Sequence, residues 1–168
     1  GITTFNQRSQ AVRLGVADSE AFKDRVRTSF EADGLRSLFS EDVSQLMDLI
    51  ETEEDAQLAA QVLQAASHEA QDRPIERLPK LVGFFFAMCK RDGRVDMARE
   101  MWNHPTMLSF RANHRSARLR YMALLYDAGH YRELLDVYYT LCKEGEERLK
   151  DEATLAMASL YRLGSTEA

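Results

Sequence analysis

Residues 84–101 read Phe-Phe-Phe-Ala-Met-Cys-Lys-Arg-Asp-Gly-Arg-Val-Asp-Met-Ala-Arg-Glu-Met: an apolar helical stretch, a glycine, then a second amphipathic stretch. The glycine has two echoes. Gly93, Gly129 and Gly164 lie 36 and 35 residues apart, and each closes a similar phrase: AMCKRDG, ALLYDAG and ASLYRLG. Glycine ends a helix in the left-handed conformation without steric cost, so each of the first two phrases predicts the turn of a helical hairpin. After the turns, Val95, Met97, Ala98, Met101 and Trp102, and then Leu134, Leu135, Val137, Tyr138 and Leu141, fall at helical spacing.

A period of this length is a repeat signature, and a single hairpin cannot bury both faces, so stacking must supply the core. A weaker copy lies at 42–63, with Glu54 where the turn glycine is expected. Pro74 and Pro79 break the following connector, and Pro79 suits the first turn of the next helix. The expected organisation is an irregular segment at 1–19 and a capping helix at 20–40 through Phe22, Val26, Phe30 and Leu38. A hairpin array at 41–168 follows, divided into 41–78, 79–114, 115–149 and a partial 150–168.

Composition agrees. The chain has 168 residues, 8 Gly, only 3 Pro and 45% hydrophobic residues, which excludes disorder and disfavours a turn-rich sheet protein. The longest apolar run, Leu81–Cys89, falls far short of the about 20 residues that a membrane helix needs. Cys89 and Cys142 predict reduced, buried thiols in a soluble intracellular protein. The first residue is Gly1, not Met, so the sequence reads as a processed or trimmed product, and the truncated fourth hairpin implies a chain that continues.

A 35-residue hairpin whose first helix ends Met-Cys-Lys-x-x-Gly-Arg-Val and whose second begins Asp-Met-Ala-Arg-Glu-Met resembles the pentatricopeptide repeat. The match is closest at 84–101 and next best at 121–145, YMALLYDAGHYRELLDVYYTLCKEG. The Trp and Tyr pattern of the tetratricopeptide repeat is absent. The resemblance implies an all-α fold, a right-handed superhelix or solenoid of stacked hairpins. It also implies an RNA-associated protein of the mitochondrial matrix, acting in maturation or stability of mitochondrial transcripts, notably the cytochrome b message, and so in respiratory complex III. In that family the base is read from the middle of each first helix, here Ser44, Gly83, Leu119 and Thr154, and from boundary residues, here His114 and Leu149; these do not spell a legible code.

Charge is distributed unevenly. The net −5 divides into +1 for residues 1–40, −9 for 41–72, +7 for 73–120 and −4 for 121–168. The basic middle makes Lys80, Lys90, Arg91, Arg94, Arg111, His114, Arg115, Arg118 and Arg120 candidate phosphate contacts along adjacent first helices, with Tyr126 as a stacking surface. The same charges also read as an ordinary solvated face, and Tyr126 and Tyr161 as packing residues.

An alternative function is a protein-interaction scaffold that docks a basic partner on Glu51, Glu53, Glu54 and Asp55; the simpler reading of these acids is a favourable helix start. An acidic end beside a basic middle also permits head-to-tail self-association. The four histidines and two cysteines lack metal spacing, and no phosphate loop or nucleophile elbow is present, so neither an enzyme nor a cofactor or metal site is expected.

Overall fold

A computed structural model describes residues 7, 10–13, 15, 18–38, 40–108, 111, 114–145 and 149–167, and all regular structure among them is helical. None of these helices is long and apolar enough to cross a membrane. The chain forms two compact units, Gly1–Met88 and Cys89–Ala168.

In the first unit, helix α1 (Ser19–Asp33) begins where Asp18 Oδ1 accepts a hydrogen bond from the Ala21 amide at 3.0 Å, and it ends at Gly34, φ +62°. A 3-10 turn at Gly34–Ser37 leads to α2 (Ser40–Leu49) and α3 (Glu53–Asp72). No glycine makes the α2–α3 turn. A capping box does so instead: Thr52 Oγ1 accepts from the Asp55 amide at 3.2 Å, and Asp55 Oδ2 accepts from the Thr52 amide at 3.2 Å.

The apolar faces of α2 and α3 are buried through Leu46, Met47, Ile50, Ala59, Val62 and Leu63. Helix α4 (Leu78–Asp92) starts one residue before Pro79, and its run Leu81–Cys89 is buried throughout. Where irregular backbone was expected at 1–19, described residues 7, 10–13 and 15 are helical. Arg13 explains part of this order: its guanidinium donates to the Asp48 and Ile50 carbonyls at 3.2 and 3.1 Å, which lie at the open C-terminal end of α2.

In the second unit, α4 closes on Gly93 (φ +68°) and is followed by α5 (Val95–Asn103). Helix α6 (Arg115–Asp127) closes on Gly129 (φ +78°), followed by α7 (Tyr131–Lys143) and α8 (Lys150–Glu167). Both glycine turns use the same hydrogen bond six residues wide, Arg94 N to Cys89 O at 2.8 Å and His130 N to Leu125 O at 2.9 Å.

Gly164, the third glycine of the period, behaves differently. Helix α8 runs straight through it to Glu167, without positive φ, because a glycine inside a helix costs only about 1 kcal/mol and does not by itself force a turn. Two further expectations are corrected. Cys89 is buried but Cys142 is exposed, since it lies beyond the packed face of α7, and Tyr161 is 76% exposed rather than packed.

Candidate nucleic-acid interface

Four bases of the basic middle, Lys90, Arg99, Arg115 and Arg118, are engaged by acids further along the chain. Lys90 Nζ lies 2.6 Å from Asp127 Oδ2. Arg99 makes a two-pronged contact with Glu133, Nε to Oε1 at 2.6 Å and Nη2 to Oε2 at 2.8 Å. Arg115 pairs with Asp151, and Arg118 Nε donates to Glu152 Oε1 at 2.9 Å. The separations of these four pairs run from 34 to 37 residues, the length of the repeat. Ion pairs of this spacing therefore link corresponding helices of the second unit, and α6 and α8 also pack directly against each other. All four bases come from the +7 segment and all four acids from the −4 segment. Residues 89–168 carry 13 Lys plus Arg and 12 Asp plus Glu, so the second unit is close to neutral.

Arg118 and Glu152 are 2% and 0% exposed, which removes Arg118 from any accessible surface. His114 caps α6 with its carbonyl, which accepts from the Arg118 amide at 3.2 Å, and burial pushes its imidazole below the usual pKa, so it adds no charge at neutral pH. Arg120 is half-buried, and burial lowers its guanidinium pKa. Arg91 is held bidentate by Asp92 at 2.7 and 2.9 Å, and Arg94, which caps α5, has its Nε 3.9 Å from Asp92 Oδ2.

Arg111 lays its guanidinium over the Trp102 ring at 5.4 Å, and Lys80, in the first unit, is exposed with its ammonium 5.6 Å over Phe84. Tyr126 is half-buried, packs edge-on against Tyr131 at 5.4 Å and accepts from Arg162 Nε at 3.4 Å. Of the positions in register with base reading, Gly83 is buried inside α4 and Thr154 is exposed on α8, its hydroxyl donating to the Lys150 carbonyl at 3.0 Å.

The acidic candidates divide in the same way. Glu51, Glu53 and Glu54 are exposed, but Asp55 is buried. Burial opposes its charge, yet the Lys23 ammonium at 2.9 Å and the Glu51 and Thr52 amides outweigh it and hold the carboxyl below the usual range. The acid partners Asp127, Glu133, Asp151 and Glu152 are the residues that reading the sequence missed. Superimposing the charges of successive repeats would have exposed them, because each acid falls 34 to 37 places after a base.

Glu133 also accepts from the Tyr121 hydroxyl at 3.4 Å; Arg99 holds its carboxyl low despite burial, and burial raises the Tyr121 phenol. No group of His, Cys, Asp and Glu among the described residues could hold a metal ion. No family model matches the chain, and neither a curated protein nor a solved structure matches it.

Proposed function

We propose that this chain is a pentatricopeptide-type array of stacked helical hairpins that binds mitochondrial RNA in the matrix, mainly through phosphate contacts, and serves the maturation or stability of mitochondrial transcripts. Across residues 20–168 the order of segments resembles that of the animal mitochondrial pentatricopeptide repeat-containing protein 2, which makes the cytochrome b message, and through it complex III, the first candidate. The observation that carries this reading is the shared spacing of the two glycine turns, 36 residues apart, and of the ion pairs between successive helices, 34 to 37 residues apart.

Within the second unit, phosphate contact falls to cations that are not fully buried: Lys90, Arg111 and the half-exposed Arg115. Arg118 is excluded, since reversing its charge would bury two acids together. Filter binding over a salt series tests this with Lys90, Arg111 and Arg115 together replaced by Glu. RNA retention is expected to fall, and the slope of log K against log salt to become shallower by about two, at about 0.7 per phosphate for a single strand. Undiminished retention, or a flat salt response in the parent protein, overturns the proposal.

A second reading, a protein-interaction scaffold, is favoured by one observation: Met157, Leu160 and Tyr161 form an apolar stripe on α8 that is 67%, 44% and 76% exposed. Pull-down from nuclease-treated matrix extract separates the two. A stoichiometric partner that survives nuclease and is lost with Met157→Ser and Tyr161→Ser supports the scaffold; loss of all partners with nuclease supports RNA.

A further inference from the structure

Helices α5 and α7 are equivalent second helices of successive hairpins, tied by Arg99 and Glu133, but they differ in length. Pro105 disfavours helical backbone at His104, which is extended (φ −62°, ψ 135°), so α5 stops at Asn103. On the Arg99–Glu133 register Asn103 aligns with Val137, whereas α7 runs on to Lys143. The last turns of α7 therefore lack a neighbour from α5, and a cleft of about 210 Å³ stands there. Trp102 and Tyr121, stacked at 4.6 Å, form its floor, and Arg111 covers the Trp102 face.

Its open wall is the stripe Asp136, Thr140 and Glu144, all exposed, with half-buried Val137 beside it. Positions i, i+4 and i+8 share one side of a helix, and the backbone rises about 12 Å from Asp136 to Glu144, the C-cap of α7, at 1.5 Å per residue. Neither carboxylate forms an ion pair with another described residue, while the third acid, Glu133, is engaged by Arg99.

We propose that this cleft docks a basic segment of a partner protein, which places two cationic side chains about 12 Å apart on Asp136 and Glu144 and an apolar side chain between them against Val137. Charge decides the occupant. The open wall is anionic, so it attracts lysine and arginine and repels RNA phosphate; of the cations assigned to RNA, Arg111 borders the cleft on the Trp102 side, opposite this wall, and Lys90 and Arg115 do not line it.

Trp102 is the only tryptophan of the chain and lines the cleft, so its emission reports occupancy. The full chain is titrated with the blocked peptide Arg-Ala-Leu-Ala-Arg, whose arginines reach about 13 Å apart when extended. A saturable change in emission is expected, weakened about tenfold in the Asp136→Asn, Glu144→Gln double variant, as two exposed ion pairs require. Both residues are exposed, so an unchanged circular dichroism spectrum is expected in the variant. Thr140→Arg, which places a cation in the middle of the stripe, should abolish the response independently.

The Glu31→Gln, Glu69→Gln variant removes the same charge from exposed positions elsewhere and should bind as the parent does. Equal weakening by both double variants reduces the effect to net charge and overturns the proposal. So does a Trp102 response to a hexauridine oligonucleotide without one to the peptide.

Discussion

Among the described residues each unit buries one ion pair, and the two pairs are finished differently. In the first unit Lys23 and Asp55 meet at 2.9 Å, and every strong partner they need is at hand: Glu20 lies 2.5 Å from the Lys23 ammonium, and Asp55 Oδ2 accepts from two amides at the start of α3. In the second unit Arg118 and Glu152 also meet at 2.9 Å, but Glu152 Oε2 is buried with no hydrogen-bond partner. Coulomb attraction is similar in both. Satisfaction of the carboxylate's remaining lone pairs is not, and it governs whether a buried pair stabilises more than its desolvation costs. Asp55 stabilises a helix start; Arg118 and Glu152 instead hold α6 and α8 in one register.

The largest test removes one side of the less satisfied pair. Arg118→Ala leaves Glu152 buried and uncompensated, and urea denaturation should show a loss of about 3–5 kcal/mol. Arg118→Met together with Glu152→Leu should return stability to within about 1 kcal/mol of the parent or above it. A double variant as weak as the single one would mean that the pair itself stabilises the fold.

Asp55→Ala should cost less, about 2 kcal/mol, because it removes a cap and a hydrogen bond while Lys23 keeps Glu20. A loss exceeding that of Arg118→Ala would reverse the comparison.

Acid should weaken both units next. Asp55 has a lowered folded pKa, so its contribution is present above the unfolded value of about 3.9 and disappears as pH falls through the folded value. The parent should lose stability below about pH 4, and Asp55→Asn should flatten that limb in denaturation measured from pH 2 to 7. Glu133, held low by Arg99, should behave alike, with Glu133→Gln flattening the same range.

The smallest effect is expected from Arg99→Lys, which cannot keep the two-pronged contact with the partly exposed Glu133. A loss of about 0.5 kcal/mol, falling toward zero in high salt, is the expected reading.

Much of the helical layout was legible. Gly93 and Gly129 could be placed at turns because few residues accept a positive φ, and the apolar spacing around them marks the buried faces. The α2–α3 turn was less legible because Thr52 and Asp55 make it without glycine, and their capping box reads equally well as part of an acidic run. Gly164 shows the converse: a glycine in register permits a turn but does not compel one.

The candidate site was legible as charge but not as pairing. The same Arg type serves as a buried strut at 118, as a half-exposed bridge at 115 and as a cover over Trp102 at 111, and no local pattern distinguishes these uses. Nor does Pro105 announce that ending α5 early leaves a cleft beside α7, since the cleft depends on the length of another helix.

The sequence by itself determined the helices, the spacing of the glycine turns and the uneven distribution of charge, because helix period, capping and left-handed turns depend on residues within a few places of one another. Only the tertiary structure decided which cations are accessible. Helix packing brings Arg118 to Glu152 and Lys90 to Asp127 from distant places in the chain, and burial then makes one pair a fixed part of the core while the other stays at the surface.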